Sequence, residues 1–145
     1  MGVQAIDVAA YILKELGTMP AMKLHKLVYY SQAWSLVWDD KPIFHDRIEA
    51  WANGPVIRNL YNKHKGRFRV GSIKGAERTL LNSEQCETID AVLDYYGDKS
   101  SQWLSDLTHM EAPWQEARAK AGLASGQRGN ACITHASMAE YYSGL

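Results

Sequence analysis

Apolar residues recur at helical spacing from the start of the chain. Ile6, Ala9, Ala10 and Leu13 stand three and four apart, Leu16 lies beside the same stripe, and Gly17 ends the run. This predicts a short amphipathic helix. Thr18-Met19-Pro20 reads as a new start, because Pro suits the first turn of a helix. The second helix is predicted to continue to about Trp38. Its first stripe is Leu24, Leu27, Val28, Ser31, Ser35 and Trp38, with Trp34 at the edge. Tyr29 and Leu36 lie roughly opposite, and Tyr30 and Val37 occupy a third side. A helix apolar on so many sides is central and surrounded. Its aromatic edge is also a candidate surface for a partner.

Asp39-Asp40-Lys41-Pro42 is turn chemistry. Partial alternation from Arg47 to Trp51 predicts a short strand, which Asn53-Gly54-Pro55 breaks. Pro55 is placed at the start of a helix with Val56, Leu60 and Tyr61 on its apolar side. A loop covers about residues 64 to 78 and leaves room for a strand at Phe68 to Val70. Ser83 is the expected cap of a helix that buries Ile89, Val92, Leu93 and Tyr96 and closes at Gly97. Ser100 or Ser101 caps the next, and Pro113 opens another that reaches about Lys120. Residues 121 to 130 are small and Gly-rich and read as a flexible loop, after which Thr134 caps a last helix carrying Met138, Tyr141 and Tyr142. The expected fold is mainly α: a single compact helical domain over residues 1 to 145, of about six helices with a minor short β element.

Composition adds a core and removes several classes of function. Hydrophobic residues make up 46% of the 145, with five Trp and eight Tyr, enough for a sizeable interior. Sixteen Lys and Arg balance sixteen Asp and Glu, so net charge gives no reason to expect nucleic acid, an anionic membrane or an acidic partner. Cys86 and Cys132 do not make a disulfide framework, which points to a reduced, cytoplasmic protein with inert or buried thiols. No signal peptide is expected, and no apolar run approaches the ~20 residues of a membrane span.

Catalytic signatures are missing. The five His show no metal-ligand spacing, there is no GxSxG elbow, and Gly126-Gln127-Arg128-Gly129 lacks the Lys-Ser/Thr of a phosphate loop. Asp39-Asp40 and His45-Asp46 read as solvated surface groups. No enzyme activity, metal or cofactor is expected. The basic run Lys63, Lys65, Arg67 and Arg69, with Phe68 or Tyr61 as a stacking ring, admits three readings. It is a solvated loop, a nucleic-acid contact, or a rim that steers an acidic protein. The five Trp are core residues or interface anchors.

The stretches "MKLHKLVYYSQAW", "IEAWANGPVIRNLYNKHKG" and "LTHMEAPWQEAR", in that order, resemble the Panacea family of SocA-like antitoxin domains, which accompany phages and other mobile elements. The motif residues are Lys23, Leu24, Lys26, Leu27, Tyr29, Tyr30, Gln32 and Trp34, then Trp51, Asn53, Gly54, Pro55, Val56 and Tyr61, then Thr108, His109, Glu111, Pro113 and Trp114. His25 stands where Gln is expected more often, and no specific polar role is expected of it. The resemblance implies a type II antitoxin that neutralises a co-encoded protein toxin by direct binding. One branch delivers its toxin to a AAA+ protease, which makes a proteolytic adaptor the alternative. Nucleic-acid binding through residues 63 to 69 is the third reading. The candidate anchors are Tyr29, Tyr30, Trp34, Trp38 and Trp51, with Lys63, Lys65, Arg67 and Arg69 as a rim.

Overall fold

A computed structural model describes residues 2–145. Helix α1 (Ala5–Leu16) turns its apolar stripe inward, and the Asp7 carboxylate on its first turn accepts from the backbone of Gln4 and Glu77. Strand β1 (Met19–Pro20) precedes α2 (Ala21–Trp38). Pro20 is therefore the cap of α2 and not part of its first turn. β1 pairs antiparallel with β4 (Arg69–Val70), and the Ala21 N–H donates to the Phe68 carbonyl at 2.7 Å.

Strands β2 (Ile48–Trp51), β3 (Gly54–Ile57) and β5 (Ala131–Ile133) form an antiparallel sheet in the order β3-β2-β5. Pro55 thus lies in an edge strand, opposite Ala50, where its missing N–H is tolerated. This corrects the helix expected to start there; α3 (Arg58–His64) begins after the strand. β5 falls where no strand was predicted, just after the Gly-rich stretch.

Four further helices complete the chain: α4 (Ser83–Tyr96), α5 (Ser101–His109), α6 (Ala112–Lys120) and α7 (His135–Ser143). Asn82, not Ser83, caps α4, and its amide oxygen and the Gln85 side chain satisfy each other's backbone N–H groups. Ser100 and Thr134 cap α5 and α7, and Pro113 sits in the first turn of α6. The fold is mainly helical, with seven α-helices among the described residues.

α2 is the hub. It packs against α1, α4, α5, α7 and β3. Its Leu24, Leu27, Val28, Tyr29 and Tyr30 are fully buried together with Ile12, Phe44, Ile48, Leu60, Ile89 and Met138. Removing side chains of this size from water contributes ~1.5–3 kcal/mol each. Gln32 holds the segment after α2: its amide donates to the Phe44 carbonyl, and its carbonyl accepts the N–H groups of Ile43 and Phe44. No helix among the described residues is long and apolar enough to cross a membrane.

Candidate functional site

The β2–β3 turn, α3 and the loop before β5 converge on an open groove of about 680 Å³. The turn supplies Trp51, Ala52 and Asn53. Arg58, Tyr61 and Lys65 come from α3 and its C-terminal end, Arg128, Gly129 and Asn130 from the loop, and Met22 from the first turn of α2.

The groove is built before anything docks. Four consecutive carbonyl oxygens at its base are each met by a side chain from α5 or α6. Arg118 Nη1 donates to Ala50 at 2.9 Å and Trp114 Nε1 to Trp51 at 2.8 Å. His109 Nε2 lies 2.9 Å from the Ala52 oxygen, and Ser105 Oγ donates to Asn53 at 2.7 Å. A buried polar group robbed of its partner costs ~1–3 kcal/mol; the Ala50 bond is buried, those to Trp51 and Ala52 part-buried and that to Asn53 exposed, so the turn is held most firmly at its β2 end. Arg118 also donates to the carbonyls of Ala124 and Gln127, and Arg47 to that of Asn130. Residues 121 to 130 are therefore tied down, against the expectation of a flexible loop.

Trp51 is oriented by Glu49. The buried Glu49 carboxylate accepts from Trp51 Nε1 at 2.8 Å, Arg58 Nη2 at 3.1 Å and Arg47 Nε at 3.1 Å. The Arg58 guanidinium lies 5.0 Å from the centre of the Trp51 ring, and Tyr61 meets that ring edge-on at 4.9 Å. Lys65 and Arg128 form no ion pair among the described residues. The zero net charge conceals a strong segregation. Residues 41 to 80 carry nine Lys or Arg against three Asp or Glu, whereas residues 81 to 111 carry one against seven. The groove lies against the positive segment.

The structure sorts the residues expected at a partner surface. Tyr29 and Tyr30 are buried and leave the set of surface anchors. Tyr29 Oη is 3.0 Å from Tyr142 Oη, and Tyr30 and Tyr142 both donate to Glu111 Oε1 at 2.7 Å. Burial holds the Glu111 carboxyl above its usual range, although both phenols favour its charged form. Trp34 is half-buried, donates to Tyr96 Oη and stacks on Trp38 with ring centres 5.0 Å apart. Trp38 itself is 52% exposed, at the end of α2 remote from the groove. Of the basic run, Lys65 lines the groove; Lys63, Arg67 and Arg69 are exposed beyond its lining, and Arg69 bonds the Thr18 carbonyl. Lys23 caps the Gly97 carbonyl. Arg58, Arg128 and Asn130 were not anticipated. Only the Arg58–Trp51 proximity had a local signal, the hairpin turn itself. Cys132 is exposed and Cys86 half-buried, so the thiols are not both sheltered.

Two motif positions lie beside the turn. A β-carbon on Gly54 would stand 2.6 Å from Lys26 Cε and 3.1 Å from Thr108 Oγ1, and Gly54 has φ +124°. Lys26 is buried and its amine has no hydrogen-bond partner in the described structure. Burial lowers its pKa to about 7. His25, one residue earlier, is also fully buried. Its Nδ1 accepts the Ile57 N–H, so its proton lies on Nε2 and is donated to His64 Nε2 at 2.7 Å. This corrects the expectation that His25 has no specific polar role. Burial, reinforced by Lys26 and by His64, keeps His25 well below the usual His range. Among the described residues no three His, Cys, Asp or Glu side chains are placed to hold a metal ion.

A family model described as "Antitoxin SocA-like, Panacea domain" matches residues 24–115. The matched span contains α2, the β2–β3 turn, α3, and the His109 and Trp114 side chains that hold that turn. No curated protein and no solved structure matches the chain.

Proposed function

The chain belongs to the SocA-like antitoxin family that carries the Panacea domain, and from that premise we propose that it is a non-enzymatic, type II antitoxin. It neutralises a co-encoded protein toxin by direct binding, with the 145 residues acting as one domain. The observation that carries the reading is the preformed groove. Its aromatic Trp51 and Tyr61, its free cations and its four held carbonyls are what a rigid protein-docking surface needs. Pre-organisation reduces the entropy lost on association, so a small groove can support tight binding. The experiment is co-expression with the product of the adjacent gene. Growth restored by this chain, and a complex recovered from the same cells, supports the reading; growth arrest that persists with every neighbouring product overturns it.

A second reading, the proteolytic adaptor, draws on Trp38. Met22 and Trp38 stand sixteen residues apart on one helix, ~24 Å at 1.5 Å per residue. An adaptor needs two such separated surfaces. A toxin whose lifetime in cells is the same with and without AAA+ proteases excludes it.

A further inference from the structure

We propose that the Trp51 groove takes an acidic segment of the protein partner, with carboxylates on Arg58, Lys65 and Arg128 and an apolar side chain beside Met22 and Tyr61. This rests on the antitoxin reading above and names the chemistry of the segment that docks.

Charge carries the argument. The three cations reach the groove from two stretches, Arg58 and Lys65 from α3 and its end and Arg128 from the loop before β5, and converge on one concavity. Arg58 spends Nη2 on Glu49 and makes no other hydrogen bond among the described residues, so the rest of its fork is free to grip a carboxylate. Lys65 and Arg128 are exposed and uncommitted. The one acid nearest the site, Glu49, is buried and fully used by Arg47, Arg58 and the Trp51 indole. The first turn of α2, at Met22, adds the positive end of an 18-residue helix. Lys63, Arg67 and Arg69 extend the same field outward and would speed encounter with an anionic partner.

The same cations would attract a single-stranded nucleic acid, but the aromatic rings argue for a peptide. Strand-binding sites offer open ring faces on which bases stack. Here Trp51 is covered by Arg58 and edged by Tyr61, and its indole N–H is spent on Glu49. Phe68, 76% exposed, has an open face but is not part of the groove wall. The groove walls instead offer a guanidinium laid on an indole, a carboxylate receptor with an apolar floor.

The test is fluorescence anisotropy on the full chain with three labelled probes: a short Glu-rich peptide containing Leu, the same peptide with Gln for every Glu, and a single-stranded DNA of similar length. The Glu peptide is expected to bind, and the Gln peptide at least about tenfold more weakly. The double variant K65E/R128E, both exposed positions, is expected to weaken the Glu peptide by more than about tenfold with an unchanged Tm, while Lys120→Glu changes it less than about twofold. Absence of binding by the Glu peptide, or binding indifferent to K65E/R128E, overturns the proposal. DNA binding that is tighter, steeply salt-dependent and lost in the double variant also overturns it, in favour of nucleic acid. The two readings fail separately. If K65E/R128E still restores growth in co-expression, the antitoxin role stands and this docking site falls. If the unaltered chain restores nothing while the Glu peptide binds, the reverse holds.

Discussion

Lys26 lies across Gly54. A side chain at position 54 would place its β-carbon 2.6 Å from Lys26 Cε and 3.0 Å from the amine, over a backbone already at φ +124°. The two family-motif positions are therefore one device: the buried amine occupies the space that the missing side chain leaves. Gly54→Ala is expected to destabilise the fold by about 2–4 kcal/mol, part from the dihedral and part from the clash. Lys26→Ala in the same chain should recover the clash but not the dihedral part. Urea unfolding of the single and double variants reads the coupling, and additive effects would show that the two residues do not oppose each other.

The Lys26 amine has no partner, so its burial costs stability at neutral pH. Its folded pKa of about 7 lies below the ordinary 10.5. Between those values the unfolded chain holds the proton and the folded chain does not, so stability rises with pH across that window and the penalty is fully felt near pH 7 and below. Lys26→Met, similar in length and without charge, is expected to raise stability at pH 7 by about 1–4 kcal/mol and to flatten the rise toward pH 10. A lower Tm for Lys26→Met would reveal a partner for the amine.

His25 and His64 carry the same trend, stability rising with pH, down into acid. Both are held below the ordinary 6.5, chiefly by burial, with Lys26 facing His25 and Arg67 facing His64. Both stay neutral in the fold while the unfolded chain charges. Their contribution is fully present above pH 6.5 and is lost as pH drops below it, by up to ~1.4 kcal/mol per pH unit for each ring. His25→Gln keeps an acceptor for the Ile57 N–H and removes one titrating ring. It is expected to make the loss of Tm from pH 7 to 5 shallower; an unchanged slope would mean that the pair does not titrate as placed.

Trp114 and Arg118 act on the groove from behind. Trp114→Phe keeps the ring but strands the Trp51 carbonyl, at a cost of ~1–3 kcal/mol. Arg118→Met removes the donor to Ala50, Ala124 and Gln127. Amide exchange at residues 51–53 and 123–130 is expected to accelerate in these variants, ahead of α2. Equal acceleration everywhere would mean global destabilisation without a local role.

Local chemistry made most helices legible. Ser100 and Thr134 cap as their side chains suggest, Pro113 opens α6, and the apolar girth of α2 announces a central helix. What could not be read depended on distant partners. Pro55 fits a helix start as well as an edge strand, and pairing with β2 and the bond from Ile57 to the His25 ring decide between them. β5 exists because Glu49 and Ala50 offer it a neighbour. Of the site, Trp51, Tyr61 and Lys65 were visible as residue types. Arg128 and Asn130 were not, since Arg118 and Arg47 bring that loop to the groove. Tyr29 and Tyr30 resemble interface anchors by type, and only the Tyr142 hydroxyl that meets Tyr29 and the Glu111 carboxylate that takes Tyr30 show why they face inward.

Amide hydrogen exchange on the chain alone and in complex with its co-encoded partner tests the central claim most directly. The account predicts new protection at residues 51–53, 58–65 and 128–130, with Trp38 and its surroundings unchanged. Protection confined to the Trp38 end of α2, with the groove exchanging as in the free chain, would contradict it.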